Sequence, residues 1–174
     1  MITLNAVGKE RTSNKMSNNE FKIVGGPDQP VADHLAVLSC LNQYCHLVDR
    51  GGVDEIAALF AEDAVLRPLY QGETPVTGRA AIRGWFQNYD TEVRAGRRHR
   101  RHKIASPFVK IDGDQASAWC YLDSSTVVIA TNLIQVSAGR YEDKLIKLDG
   151  TWLFRERAII LNHIHTIDGF DEIP

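Results

Sequence analysis

The fold is decided by residues 102–164, which read HKIASPFVKI (102–111), QASAWCYLDSSTVVIA (115–130), LIQVSAGRYEDKLIKL (133–148) and TWLFRERAIILNHI (151–164). In each run apolar and polar residues tend to alternate, a period near two that sends successive side chains to opposite faces of a strand. The separators are Asp112–Gly113–Asp114, Thr131–Asn132 and Asp149–Gly150, residue types that accept the backbone of tight hairpin turns. Four strands joined this way form an antiparallel meander.

Upstream the period lengthens. In ADHLAVLSCLNQYCHLVDRGG (32–52), Leu38, Leu41, Cys45 and Asp49 recur at three and four residues, which predicts a long amphipathic helix ending at Gly51 and Gly52. VDEIAALF (53–60) reads as a short second helix and Ala64 to Tyr70 as a strand. GRAAIRGWFQNYDTEV (78–93) reads as a third helix with Ile82, Trp85, Phe86 and Tyr89 on one side. Helices followed by a run of antiparallel strands make an α+β domain. The expectation is a cone-shaped domain in which three N-terminal helices pack on a strongly curved, mostly antiparallel sheet. Residues 1–30, rich in Asn, Ser, Lys and Gly with no apolar period, are expected to be a flexible tail, leaving 31–174 as the domain.

A length of 174 residues with 44% hydrophobic and 24% charged residues fits one soluble domain and leaves little room for a second core. No window approaches the roughly 18 apolar residues of a membrane span, and the first 30 residues lack the apolar stretch of a secretory signal, so a cytoplasmic protein is expected. Cys40, Cys45 and Cys120 form no Cys-x-x-Cys and read as reduced, buried thiols. The net charge of −2 hides an asymmetry: RAGRRHRRHK (94–103) carries six Lys and Arg and no acid. With no aromatic residues interleaved for base stacking, this run reads as a solvated loop or the rim of an anionic-substrate site, and nucleic acid is not an expected partner.

Asp49 is the anomaly of the first helix, an acid on an apolar face in the last turn, where both burial and the helix dipole disfavour its ionised form. It calls for a raised pKa or a nearby cation. His102, where the basic run meets the meander, is the candidate. An Asp hydrogen-bonded to a His fixes the imidazole tautomer and makes the His a general base near neutral pH. His163-x-His165 has a metal-compatible spacing but no third ligand in a known pattern, so no metal is expected. Phosphate-cradling glycine motifs and nucleophile elbows are absent from the sequence.

The stretches YCHLVDRGGVDEIAALFAEDAVL (44–66), GRAAIRGWF (78–86), RHKIASPFVKIDGDQASAWCYL (101–122) and GRYEDKLIKLDGTWLFRER (139–157) resemble SnoaL-like domains of the nuclear transport factor 2-like superfamily, over about Val31 to His163. That superfamily hosts enzymes, binding modules and assembly subunits. In its lyase-like members, scytalone-type dehydratases and hexachlorocyclohexane dehydrochlorinases, a first-helix Asp pairs with a His at the start of a strand. Asp49 and His102 match those positions. The same resemblance implies a substrate-orienting role for Tyr44 and puts Arg157 near an arginine of the dehydrochlorinases, although an ion pair of Arg157 with Glu142 or Glu156 is equally compatible. Scytalone-type enzymes carry a second His on the adjoining strand, where this chain is read as Trp119, Cys120 and Tyr121.

The resemblance thus implies a cofactor-independent lyase or isomerase acting on a small hydrophobic substrate, cyclic ones included. Asp49 and His102 would be catalytic, and Tyr44 and Arg157 would bind substrate; Trp85, Trp119 and Tyr121 are added as substrate-binding for their aromatic character, which suits such a ligand and suits a plain core equally. The competing reading is a non-catalytic ligand-binding or subunit-assembly domain, like the β subunit of ring-hydroxylating dioxygenases. A homodimer is expected in either case, since such a sheet is covered by helices on one side, and Val127, Ile129, Leu133 and Ile134 supply apolar area for a partner.

Overall fold

The structure is a computed structural model that describes residues 30–168 apart from Gln71 and Glu73. The expected N-terminal tail, Pro30 excepted, therefore lies outside the described residues. In chain order the elements are α1 (Val31–Arg50), α2 (Val53–Ala58), β1 (Phe60–Pro68), β2 (Val76–Thr77), α3 (Arg79–Glu92), a single 3₁₀ turn (Arg94–Gly96), then β3 (Arg97–Asp112), β4 (Gln115–Val128), β5 (Leu133–Leu148) and β6 (Thr151–Ile167). The six strands form one sheet in the order β2-β1-β6-β5-β4-β3, antiparallel throughout except for the parallel pair β1–β6. This is the expected α+β architecture of three helices and a mostly antiparallel sheet.

The hairpins follow the turn residues. Asp149 and Gly150 both take left-handed φ, 48° and 80°, as a two-residue turn between β5 and β6 demands, and Gly113 does so at 57° between β3 and β4. Gly139 on β5 is required for a different reason: a Cβ there would sit 1.9 Å from the Ile160 carbonyl oxygen, where the β5–β6 register shifts.

α1 buries Val37, Cys40, Leu41, Tyr44, Cys45 and Val48, a stripe at three- and one-residue steps that faces the sheet. Its first turn is tied to the last hairpin by Asp33, which accepts from Trp152 Nε1 at 2.9 Å and pairs with Lys147 at 2.7 Å. α3 starts at Gly78, whose φ of 90° lets the chain turn from β2 into the helix, and buries Ile82 and Phe86. The core lies between the helices and the inner sheet face, around Phe60, Phe86, Tyr141, Phe154 and Tyr44. A large apolar side chain buried in this way contributes about 1.5–3 kcal/mol.

Three local expectations are corrected. The first strand begins at Phe60 rather than Ala64, because Phe60, Ala61 and Ala64 all pack into the core and α2 stops at Ala58. The basic run is not a solvated loop, since from Arg97 onward it is the first half of β3. Val127 is interior rather than spare surface at 3% exposure, whereas Ile129 is half exposed. No helix among the described residues is long and apolar enough to cross a membrane.

Candidate active site

The last turn of α1 lies against β3, and Asp49 and His102 meet at that junction. His102 Nδ1 is 2.6 Å from Asp49 Oδ1, and the backbone N–H of His102 donates to Asp49 Oδ2 at 2.9 Å. Both carboxylate oxygens are thus engaged by one residue, which fixes the imidazole relative to the helix and leaves Nε2 as the ring nitrogen that Asp49 does not hold. The side chains are 12% and 17% exposed. Burial works to raise the Asp49 pKa, but hydrogen bonds from His102 and the charge of nearby Arg100 outweigh it and hold the carboxyl below its usual range. Of the two sequence alternatives, a raised pKa or a nearby cation, the structure has the second.

The basic run supplies that setting. Arg100 donates to the Asp49 carbonyl oxygen and to the carbonyls of Arg94 and Arg97 at 3.3 Å, while Arg94 donates to the Gly51 carbonyl at 3.0 Å and pairs with Asp90 at 3.0 Å. Two guanidinium groups therefore satisfy carbonyls at the C-terminus of α1, where unpaired acceptors and the negative dipole end favour cations. They fix the end of the helix that carries Asp49.

His102 lines a cavity of about 170 Å³ between the helices and the inner sheet face. Its lining combines the aromatic rings of Tyr44, Tyr70, Trp85, Phe86, Tyr89 and Tyr141 with the polar residues Arg97, Ser125, Thr126 and Gln135. Trp85 stacks on Tyr89 with ring centroids 5.6 Å apart and planes 8° from parallel. Ser124 faces His102 in the β3–β4 register and meets the Ser137 hydroxyl at 2.5 Å. On the far side of the dyad a second hollow of about 1050 Å³ shares Asp49, Arg100 and His102 and is edged by His46, Arg50, Arg101 and Lys103.

The other residues singled out from sequence divide sharply. Tyr44 is 2% exposed and lines the cavity, with its ring perpendicular to that of Tyr141 at 5.7 Å. Trp85 lines it too. Trp119 and Tyr121 do not: on β4 the buried residues are Ala118, Cys120 and Leu122, so the alternation sends Trp119 and Tyr121 to the outer face, where Trp119 packs on Phe108 and Tyr121 is 63% exposed. The strand position beside His102 is Ser124 rather than the Trp119–Tyr121 segment.

Arg157 is sealed behind the cavity, completely buried. It makes a bidentate pair with Asp143 at 2.8 and 2.9 Å, and its guanidinium carbon lies 3.9 Å from the Tyr44 ring centroid and 4.1 Å from those of Tyr141 and Phe154. It does not reach the cavity, and its partner is neither Glu142 nor Glu156. Glu142 instead pairs with Arg140, and Glu156 with Arg67 and Lys144, on the other face. Sequence reasoning did not single out Tyr70, Tyr89, Arg97 or Arg100 as site residues, although the basic run that holds both arginines reads as a solvated loop or the rim of an anionic-substrate site. Arg100 was findable, because it stands two residues before His102 on the same strand face.

Burial pushes the Cys40 and Cys120 thiols up to about 12 and Cys45 to about 11, which leaves all three without appreciable thiolate at neutral pH. The His163 and His165 rings stack at 5.6 Å, but among the described residues no group of three His, Cys, Asp or Glu side chains is placed to hold a metal.

The model of the SnoaL-like domain family matches residues 29–158. The chain belongs to this family. Comparison with curated proteins finds no match. Among solved structures, one from Novosphingobium aromaticivorans provisionally named an aromatic ring hydroxylase is 26% identical, covering 80% of this chain and 96% of that one with a TM-score of 0.68. A provisionally named scytalone dehydratase from the same organism is 19% identical over 83% and 93% of the two chains (TM-score 0.69). The hexachlorocyclohexane dehydrochlorinase LinA-type3 from Novosphingobium barchaimii is 15% identical over 83% and 96% (TM-score 0.69). At such identities the last two speak for the fold alone, a nuclear transport factor 2-like fold on which dehydratase, dehydrochlorinase and hydroxylase names all occur.

Proposed function

We propose that this chain is a cofactor-independent lyase or isomerase in which His102, oriented by Asp49, removes a proton from a small hydrophobic substrate lying against the aromatic residues of the cavity. The observation that carries this reading is the Asp49–His102 contact of 2.6 Å in the wall of that cavity. Asp49, ionised at neutral pH, accepts from Nδ1–H and so sets the tautomer with its lone pair on Nε2. As Nε2 takes the substrate proton, the carboxylate stabilises the imidazolium. The electron pair of the broken C–H bond forms the new double bond, and the leaving group departs with its own pair, or in an isomerisation the proton returns at another carbon. Burial pushes the Tyr44 and Tyr141 phenols upward, so they serve as hydrogen-bond donors to a developing oxygen or halide charge rather than as bases.

The test is a screen in D₂O by NMR of ring compounds bearing a hydroxyl or halide β to an acidic C–H, scoring both loss of the leaving group and deuterium uptake at carbon. Turnover by the wild type that survives unchanged in His102→Ala overturns the reading. The subunit-assembly alternative draws on the relative named as a ring hydroxylase; under it the dyad only closes α1 onto β3, and its loss lowers stability without touching any chemistry. We also infer a homodimer, supported by apolar area at Trp119 and Tyr121 on the outer sheet face; light scattering at micromolar concentration checks it.

A further inference from the structure

We propose that the cavity takes a carboxylate carried on a single six-membered ring, and that Arg97 is the residue that grips the carboxylate. The inference rests on reading the cavity as a substrate site and names the class of molecule that fits it. Volume sets the ring: about 170 Å³ is close to the roughly 150 Å³ apolar cavity that takes one benzene, and six aromatic residues stand in the lining. Charge sets the substituent. The described residues that line the cavity include the guanidinium groups of Arg97 and Arg100 and no Asp or Glu.

The two arginines are not equivalent. Arg100 is committed to the carbonyls of Asp49, Arg94 and Arg97 and adds positive potential without a free fork. Arg97, half-buried at the start of β3, forms no ion pair with a carboxylate among the described residues, and the cavity it lines also carries Ser125, Thr126 and Gln135. A half-buried guanidinium in the lining of a cavity that also carries hydroxyl and amide groups is suited to a bidentate carboxylate. Arg97 stands opposite Val128 and His102 opposite Ser124, so about 13 Å of strand separates the two rows, and the long arginine stem spans part of it. An anion held at Arg97 leaves the ring beside His102, where proton removal is required.

Calorimetric titration of the full chain with benzoate, and with benzamide as its uncharged counterpart, tests this. Wild type is expected to bind benzoate at least tenfold more tightly than benzamide, the range of a charge-assisted hydrogen bond. Arg97→Gln should bring benzoate down to the benzamide level with benzamide binding unchanged, Arg97→Lys should retain part of the preference, and circular dichroism should report an intact fold in each. Arg101→Gln, on the edge of the second hollow, should keep the full preference. The proposal is overturned if wild type binds the two ligands equally or neither at millimolar concentration, if the preference survives Arg97→Gln, or if it vanishes in Arg101→Gln. The preference for benzoate over benzamide is a binding measurement made without turnover, so an absence of proton chemistry in the wild type sinks the lyase reading without touching this one.

Discussion

Asp143 and Asp49 each engage a single partner residue with both carboxylate oxygens, at 2.8 and 2.9 Å for the Arg157 guanidinium and at 2.6 and 2.9 Å for the ring and backbone nitrogens of His102. What differs is the surroundings. The Arg157–Asp143 pair joins directly opposed residues of β5 and β6, is wholly shut off from solvent and is caged by three aromatic rings. The His102–Asp49 pair joins a helix end to a strand, keeps some exposure, and presents its imidazole to a cavity. Two-point contact with a carboxylate at similar distances thus gives a fixed piece of core in one place and, in the function proposed above, a working base in the other.

Removing one partner from the sealed pair should have the largest effect of all. Arg157→Met leaves the Asp143 carboxylate buried without a counter-charge, a loss of about 3–5 kcal/mol, which is a large share of the 5–15 kcal/mol typical of a domain. Replacing both residues together, Arg157→Met with Asp143→Leu, should recover most of it, because paired apolar groups need no compensation. Urea unfolding of the two variants decides the matter; a double variant as weak as the single one would show that the aromatic cage needs the guanidinium itself.

At the open pair the same operation should move chemistry instead. His102→Ala is expected to cost about 10²–10⁴ in turnover, with stability falling by no more than about 2 kcal/mol, since only one charged hydrogen bond is lost. Asp49→Asn is a finer cut. The amide oxygen can still accept from the His102 backbone, but its NH₂ faces Nδ1 and selects the tautomer that carries a proton on Nε2, which disables the base. Turnover in Asp49→Asn should therefore fall with little change in the urea midpoint.

How far this contrast could be read from sequence differs between its halves. Asp49 was conspicuous because a charge interrupted an apolar stripe, and period-two patterning with Asp149–Gly150 chemistry located the hairpins. Arg157's partner was not legible, since it depends on which residue of β5 lies across from it, a register set by the whole sheet and by the shift at Gly139. Trp119 and Tyr121 were assigned to the pocket on aromatic character alone, although Ala118, Cys120 and Leu122 between and beside them carry the inward face. Of the two readings of the basic run, a solvated loop or the rim of an anionic-substrate site, the loop misled: six cations suggested solvent, while the pairing of Arg97 to Asp112 with β4 makes it strand.

Titration separates the aspartates by sign. Asp49 is held below the ordinary carboxylate range, whereas burial raises Asp143 more than Arg157 lowers it. For Asp49 the unfolded chain binds the proton more readily, so its contribution is present above the unfolded pKa and is lost as pH falls through the lower folded value. For Asp143 the folded state binds the proton more readily, and protonation as pH falls through its raised value relieves a penalty. Carboxyl ¹³C shifts followed by NMR should give the two midpoints on opposite sides of the unfolded value. Midpoints on the same side would remove the distinction between sealed and open pairs.

The smallest effect belongs to a third pair that extends the series to the surface. Arg140 and Glu142, two residues apart on the outer face of β5, meet at 2.7 Å, with side chains 44% and 40% exposed. Water screens their attraction, and fixing two long side chains costs entropy, so exposed pairs contribute about 0–1 kcal/mol. A double-mutant cycle with Arg140→Ala and Glu142→Ala should give a coupling within that range, while the corresponding cycle at Arg157 and Asp143 should give several-fold more, because each single removal there strands a buried charge. The His102–Asp49 cycle should fall between them in stability yet exceed both in turnover. If the surface pair coupled as strongly as the buried one, burial would not be the variable that orders these pairs, and the division between a structural and a reactive aspartate would need another cause.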